Sequence, residues 1–149
     1  MNAQKKQRRY YSGKKKRHTI KSQVIVNRQR REVICTAHRP GRTHDFAVFK
    51  ETGGEIATSI HLLGDSGYQG LHKEHENSRT PTKKPKGAEL TAEQKRDNRE
   101  LSRLRIVVEN VIRHLKIFRI VAERYRNRRR RFALRFNLIA GLYNYELSH

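Results

Sequence analysis

Apolar and polar positions divide the chain into strands first and helices later. Residues 17–27 (RHTIKSQVIVN) are rich in β-branched side chains and alternate in part, which predicts a strand. A polar turn at 27–31 and a second apolar run at 32–38 (EVICTAH) complete a predicted hairpin. Tyr10-Tyr11-Ser12-Gly13 begins an earlier extended segment, and Pro40-Gly41 ends the second strand. Residues 43–51 start with a cap-like Thr43 or Asp45 and continue as a short helix. Residues 60–63 (IHLL) predict a short buried strand that ends in the turn Gly64-Asp65-Ser66-Gly67. A Pro/Lys-rich connection fills 76–88, with one short strand at 80–84. Thr91 caps a long helix to about residue 117, and Gln94 completes a capping box. A last helix covers about 129–147, with Phe132, Phe136, Ile139, Ala140, Tyr143 and Leu147 on one face.

Composition narrows the function classes. The 149 residues carry 35 Lys+Arg against 14 Asp+Glu, a formal net charge of +21. Only 34% of residues are hydrophobic, and no run approaches the ~18 apolar residues of a spanning helix. The basic N-terminus lacks the apolar stretch of a signal peptide, and the single Cys35 fits a reducing compartment, so the expected location is the cytoplasm, away from membranes. A charge this large points to a polyanion, first of all nucleic acid, because Lys and Arg displace condensed counterions from phosphates.

The charge is also localised. Residues 1–31 hold twelve Lys/Arg and no acid, and 113–135 hold ten Lys/Arg with only Glu123 opposing. Twelve of the fourteen acids lie in 32–112. Residues 1–9 read as a basic flexible N-terminus, and 10–149 as the folded part.

Two carboxylates stand out. Asp65 follows an apolar run directly, at a strand end, where α/β sheets place ligand and metal groups. An ordinary turn, with Asp beside Gly and Ser, also explains it, and spacing alone favours that reading. Glu109 falls on the long helix inside a stripe of Ser102, Arg105, Arg113 and Lys116, beside the apolar face that runs from Leu101 to Phe118. A surface Arg–Glu pair explains Glu109 alone, worth a few tenths of a kcal/mol. A metal-binding acid beside bound phosphates also explains the basic stripe around it. Eight His with one Cys give no four-ligand zinc spacing.

Five ordered segments carry a resemblance. They are residues 10–19 (YYSGKKKRHT), 40–45 (PGRTHD), 65–70 (DSGYQG), 83–86 (KKPK) and the stretch from Asn98 to Lys116. Together they resemble the catalytic domain of DDE-superfamily insertion-sequence transposases, most closely insertion-sequence family five, with Harbinger-type nucleases as more distant relatives. The resemblance implies an α/β fold, a ribonuclease H-like mixed sheet with flanking helices, here lacking the first catalytic strand. It implies metal-dependent DNA strand cleavage and transfer by three acids that hold two divalent ions, Mg²⁺ or Mn²⁺. The second acid maps onto Asp65 and the third onto Glu109. The signature around that Glu is matched by Arg105, Glu109 and Lys116, while Ser102 stands where the family has Tyr.

The family's first Asp precedes the Tyr-Tyr-Ser-Gly-Lys segment, and no acid precedes Glu32 here. Asp45 matches the family's His-Asp position and is not assigned to the triad. The expectation is therefore a partial catalytic domain that binds transposon-end DNA without cutting it alone. An upstream transposase frame product or a second copy would be its partner. Arg105, Arg113 and Lys116 are expected on phosphates near the cleavage site. Lys14, Lys15, Lys16, Arg17 and Arg128, Arg129, Arg130, Arg131 are expected on the backbone elsewhere. The rival reading is a non-catalytic, ribosomal-protein-like nucleic-acid binder, which leaves the five ordered segments unexplained.

Overall fold

The computed structural model describes residues 10–52, 56–125 and 129–149. The chain divides into two compact units, Met1–Thr43 with Val107–His149, and His44–Ile106. The boundary falls within the longest helix.

In the first unit, β1 (Tyr11–Ser12) and β2 (Arg17–His18) pair antiparallel around a lysine turn. β3 (Ile20–Val26) and β4 (Val33–Pro40) form the predicted hairpin, in register from Ile20 opposite Pro40 to Val26 opposite Val33, with an irregularity at Ile25/Val26. Its turn is closed by Asn27, whose side-chain oxygen accepts from the amides of Gln29 and Arg30, both at 3.0 Å. Arg31 supplies the left-handed residue (φ 61°) that this turn requires. The last helix, α5 (Phe132–Leu147), lies on β4.

The core of this unit gathers Val33, Val111, Leu115, Phe132, Phe136, Ile139, Ala140 and Tyr143. Asn144 fastens the helix to the sheet: its oxygen accepts from the Val33 amide at 2.8 Å and its NH₂ donates to the Val33 carbonyl at 2.9 Å. Tyr143 donates its hydroxyl to the Arg31 carbonyl at 3.1 Å. Leu147, expected on the buried face, is exposed, as are Leu134, Leu138 and Leu142 on the other faces of the helix. Helical period thus selected the face that packs, with Phe132, Phe136, Ile139, Ala140 and Tyr143 buried as expected and Leu147 exposed as the last residue of the helix.

In the second unit, α1 (Asp45–Thr52) buries Val48 and Phe49. The parallel pair β5 (Leu62–Leu63) and β6 (Ser78–Arg79) is joined through a 3₁₀ turn at Ser66–Tyr68 and the single-turn α2 (Leu71–Glu74). The strand expected at 80–84 is instead this two-residue β6, two positions earlier. Beyond it the backbone is held by side chains. Asn98 exchanges two hydrogen bonds with the Thr82 backbone (2.8 and 2.9 Å), and Gln69 donates to the Pro81 carbonyl at 2.9 Å.

The long helix α3 (Ala92–Leu115) opens on the expected capping box. The Thr91 amide donates to Gln94 Oε1 at 3.0 Å, and the Gln94 amide donates to Thr91 Oγ1 at 3.1 Å. A one-turn α4 (Arg119–Ala122) follows.

The protein is mixed α/β. Among the described residues the strands form three two-stranded sheets, two antiparallel and one parallel. Most strands here are two residues long, too short to recruit a third partner. No helix among the described residues is long and apolar enough to cross a membrane.

Candidate catalytic carboxylates and basic surface

Asp65 follows β5 by one residue and caps the 3₁₀ turn. Its extended backbone (φ −88°, ψ −177°) turns the carboxylate back, so that Oδ1 accepts from the Gly67 amide at 2.6 Å. The geometry is that of the turn reading, and the turn bond orients the acid through one oxygen.

Asp45, at the start of α1, meets Asp65 across Gly67. A Cβ added at Gly67 would stand 2.7 Å from Asp45 Oδ2 and 2.9 Å from Asp65 Oδ1. A side chain there would force the two carboxylates to shift, and glycine lets them approach this closely. Both acids are half-buried. Tyr68 registers both charges. Burial pushes its phenol above the ordinary range, and the negative charges of Asp45 and then Asp65 push it the same way. It stays a neutral phenol beside two carboxylates.

Asp45, which the sequence reading left out of the triad, is the acid that this unit places beside Asp65. Its signal was the Thr43-His44-Asp45 start of a helix after Pro40-Gly41, which reads equally as a cap. Twenty residues separate it from Asp65, and only the fold of this unit brings the two together.

Glu109 lies in the other unit, exposed on α3, one turn after the half-buried Arg105. Arg113 follows it one turn on, also exposed, and exposed Lys116 comes just past the helix end. The stripe expected from the helical period is present in this order. Among the described residues, no group of three or more His, Cys, Asp or Glu side chains is gathered for a metal ion. The Asp45–Asp65 pair nonetheless fits a hard divalent cation in donor type. It offers carboxylate oxygens around an open backbone position, and Mg²⁺ is held by one or two carboxylates with waters completing its shell.

The two basic ends of the sequence meet in the first unit. Lys14, Lys15 and Lys16 form the exposed β1–β2 turn, with Arg17 entering β2. Arg129, Arg130 and Arg131 form an exposed 3₁₀ turn before α5. The Arg129 guanidinium lies over the Tyr10 ring, 4.3 Å from its centroid. Lys15, Arg17 and Arg129 line one cavity together. Arg128, predicted with this group, lies outside the described residues.

Comparison with known proteins places the chain in a family. A family model for DDE superfamily endonucleases matches residues 1–144. A protein of Microchaete diplosiphon, described as "Probable transposase for insertion sequence element IS702", is 53% identical over 144 residues, covering 97% of this chain and 52% of that protein. The chain thus spans about half the length of that curated relative. No solved structure matches it.

Proposed function

The chain belongs to the DDE superfamily endonucleases, and from that membership we propose that these residues form part of a transposase catalytic domain. Its plan is ribonuclease H-like, its substrate is the DNA at the ends of an insertion sequence, and it works in the cytoplasm. Asp65 and Glu109 are its metal-holding acids, for Mg²⁺ or Mn²⁺, and Asp45 shares the ion held by Asp65.

The observation that carries this reading is the convergence of Asp45 and Asp65 on Gly67. A bound divalent ion there supplies Lewis-acid stabilisation for charge on a transferring phosphoryl group. The protein's own part is positional. The Gly67 amide fixes the Asp65 carboxylate, which leaves its other oxygen for the ion. Tyr68 stays protonated and adds no third negative charge. Arg105, Arg113 and Lys116 neutralise phosphates near the bond to be cut. Lys14 to Arg17 and Arg128 to Arg131 hold the backbone further away without reading sequence.

Mn²⁺ titration followed by electron paramagnetic resonance tests the carboxylates. Binding is expected in the wild-type chain and weakened in both Asp65→Asn and Asp45→Asn. Undiminished binding in Asp65→Asn overturns the assignment. Residues 1–149 supply two of the three acids that the family resemblance requires, so this chain alone is expected to bind plasmid DNA and leave it intact. Mg²⁺-dependent nicking that Asp65→Asn abolishes would overturn that expectation.

A further inference from the structure

The cavity between the β1–β2 turn and the start of α5 is built differently from the carboxylate corner. Its volume is about 200 Å³. Lys15, Arg17, Arg124 and Arg129 line it, and Glu123 is the one acid among its lining residues. That carboxylate already faces Arg119 at 3.6 Å. Apart from Thr19, the remaining walls are aromatic and aliphatic. Tyr10 lies under the Arg129 guanidinium, and Tyr125 stands edge-on to Phe132 with centroids 4.9 Å apart. The Tyr125 hydroxyl accepts from Arg135 at 2.9 Å, which fixes its ring.

A second cavity of about 140 Å³ shares Tyr10, Ile20, Arg129 and Phe132 with the first and adds Arg39. Two small chambers thus stand side by side about the stacked Tyr10–Arg129 pair, with cations around both. Neither admits a duplex. A cavity of about 150 Å³ holds a benzene ring, so each is on the scale of one six-membered heterocycle. Aromatic faces with cations at the rim are what unpaired nucleotides bind: the base stacks and the phosphate pairs with Lys or Arg.

We propose that this cavity pair is a subsite for unpaired nucleotides of the DNA substrate, with a base against Tyr10 and its phosphate on Lys15 and Arg17. The proposal rests on the reading that the chain binds DNA and adds which form of DNA this face takes. A base inside a duplex reaches such a chamber only by leaving the stack, so the subsite favours a single strand over the same sequence paired.

Fluorescence anisotropy with one short oligonucleotide, single-stranded and as its perfect duplex, tests this on the full chain. Tyr10 is half-buried at the surface and Arg129 is exposed, so neither substitution removes a core residue. Tyr10→Ala is expected to weaken single-strand binding about tenfold and to leave duplex binding within about twofold, with Tyr10→Phe restoring the affinity. Arg129→Lys keeps the charge and loses the planar guanidinium over Tyr10, so it is expected to weaken single-strand binding more than duplex binding. Equal losses on both DNA forms overturn the subsite and leave a plain electrostatic surface. Unchanged single-strand affinity in Tyr10→Ala and Arg129→Lys overturns the subsite and leaves DNA binding intact. A wild-type chain that binds neither form brings down the DNA reading itself.

Discussion

The two units hold their functional residues by different physics. In the first, eight buried side chains make one apolar cluster beneath a hairpin, and the basic residues project from that platform. In the second, the core is small, with Val48, Phe49, Leu71 and Leu101 buried. Its loops are set by directional bonds instead: Asp65 to Gly67, Gln69 to Pro81, Asn98 to Thr82. Apolar burial is non-directional and supplies stability. Hydrogen bonds add about 1 kcal/mol net each and fix geometry. Phosphate contacts tolerate approximate placement, whereas carboxylates meant to share an ion do not. The polar scaffold stands where placement matters most.

Phe136→Ala removes a buried ring from the cluster and is expected to destabilise the first unit by about 3–5 kcal/mol in denaturant unfolding. If the units are as distinct as their construction, Mn²⁺ binding at Asp45 and Asp65 survives under conditions where the variant remains folded. Gly67→Ala tests the opposite unit. Its Cβ would push the two carboxylates apart, and a loss of about tenfold in Mn²⁺ affinity is expected with little change in the unfolding midpoint. Asn144→Ala leaves both backbone groups of Val33 without their helix partner and is expected to cost about 1–3 kcal/mol. Thr91→Ala removes half of the capping box that opens α3 and should cost about 1 kcal/mol.

The smallest effect expected is with pH. Burial lowers the pKa of His38 below its ordinary value, an Asn137 hydrogen bond opposes this, and Arg39 adds to the lowering. Its Nδ1 faces Ser22 Oγ at 2.9 Å, and its ring packs edge-on to Phe132 and Phe136. The unfolded chain therefore binds this proton at a higher pH than the folded one. Stability from His38 is present above its unfolded pKa, about 6.5, and is lost as pH falls through the lowered folded value. A melting series from pH 7.5 to about 5 should show the decline, and His38→Gln should flatten it.

What was legible in the sequence was local or periodic. The β3–β4 hairpin followed from β-branched alternation around Asn27, the capping box from Thr91 and Gln94, and the basic stripe around Glu109 from helical period. The strand expected at 80–84 failed because Thr-Pro-Thr-Lys-Lys carries strand-forming residues without an apolar face, and Ser78–Arg79 pairs with β5 instead. The buried face of α5 followed from the same period, and Leu147 is exposed because it is the last residue of that helix, past the last buried position at Tyr143. Asp45 was left outside the triad because it matches the family's His-Asp position, and its approach to Asp65, twenty residues on, carries no local signal.

By itself, the sequence determined the charge, the order of elements, the candidate acids and the ordered segments of a transposase. Each is a property of composition or of residues within a few turns of one another. Only the tertiary structure decided that Asp45 and Asp65 share the open position at Gly67, and that Tyr10 from the first strand region lies under Arg129 near the last helix. Those meetings depend on how the elements of each unit pack, and packing depends on contacts between residues distant in the chain, which neither periodicity nor composition encodes.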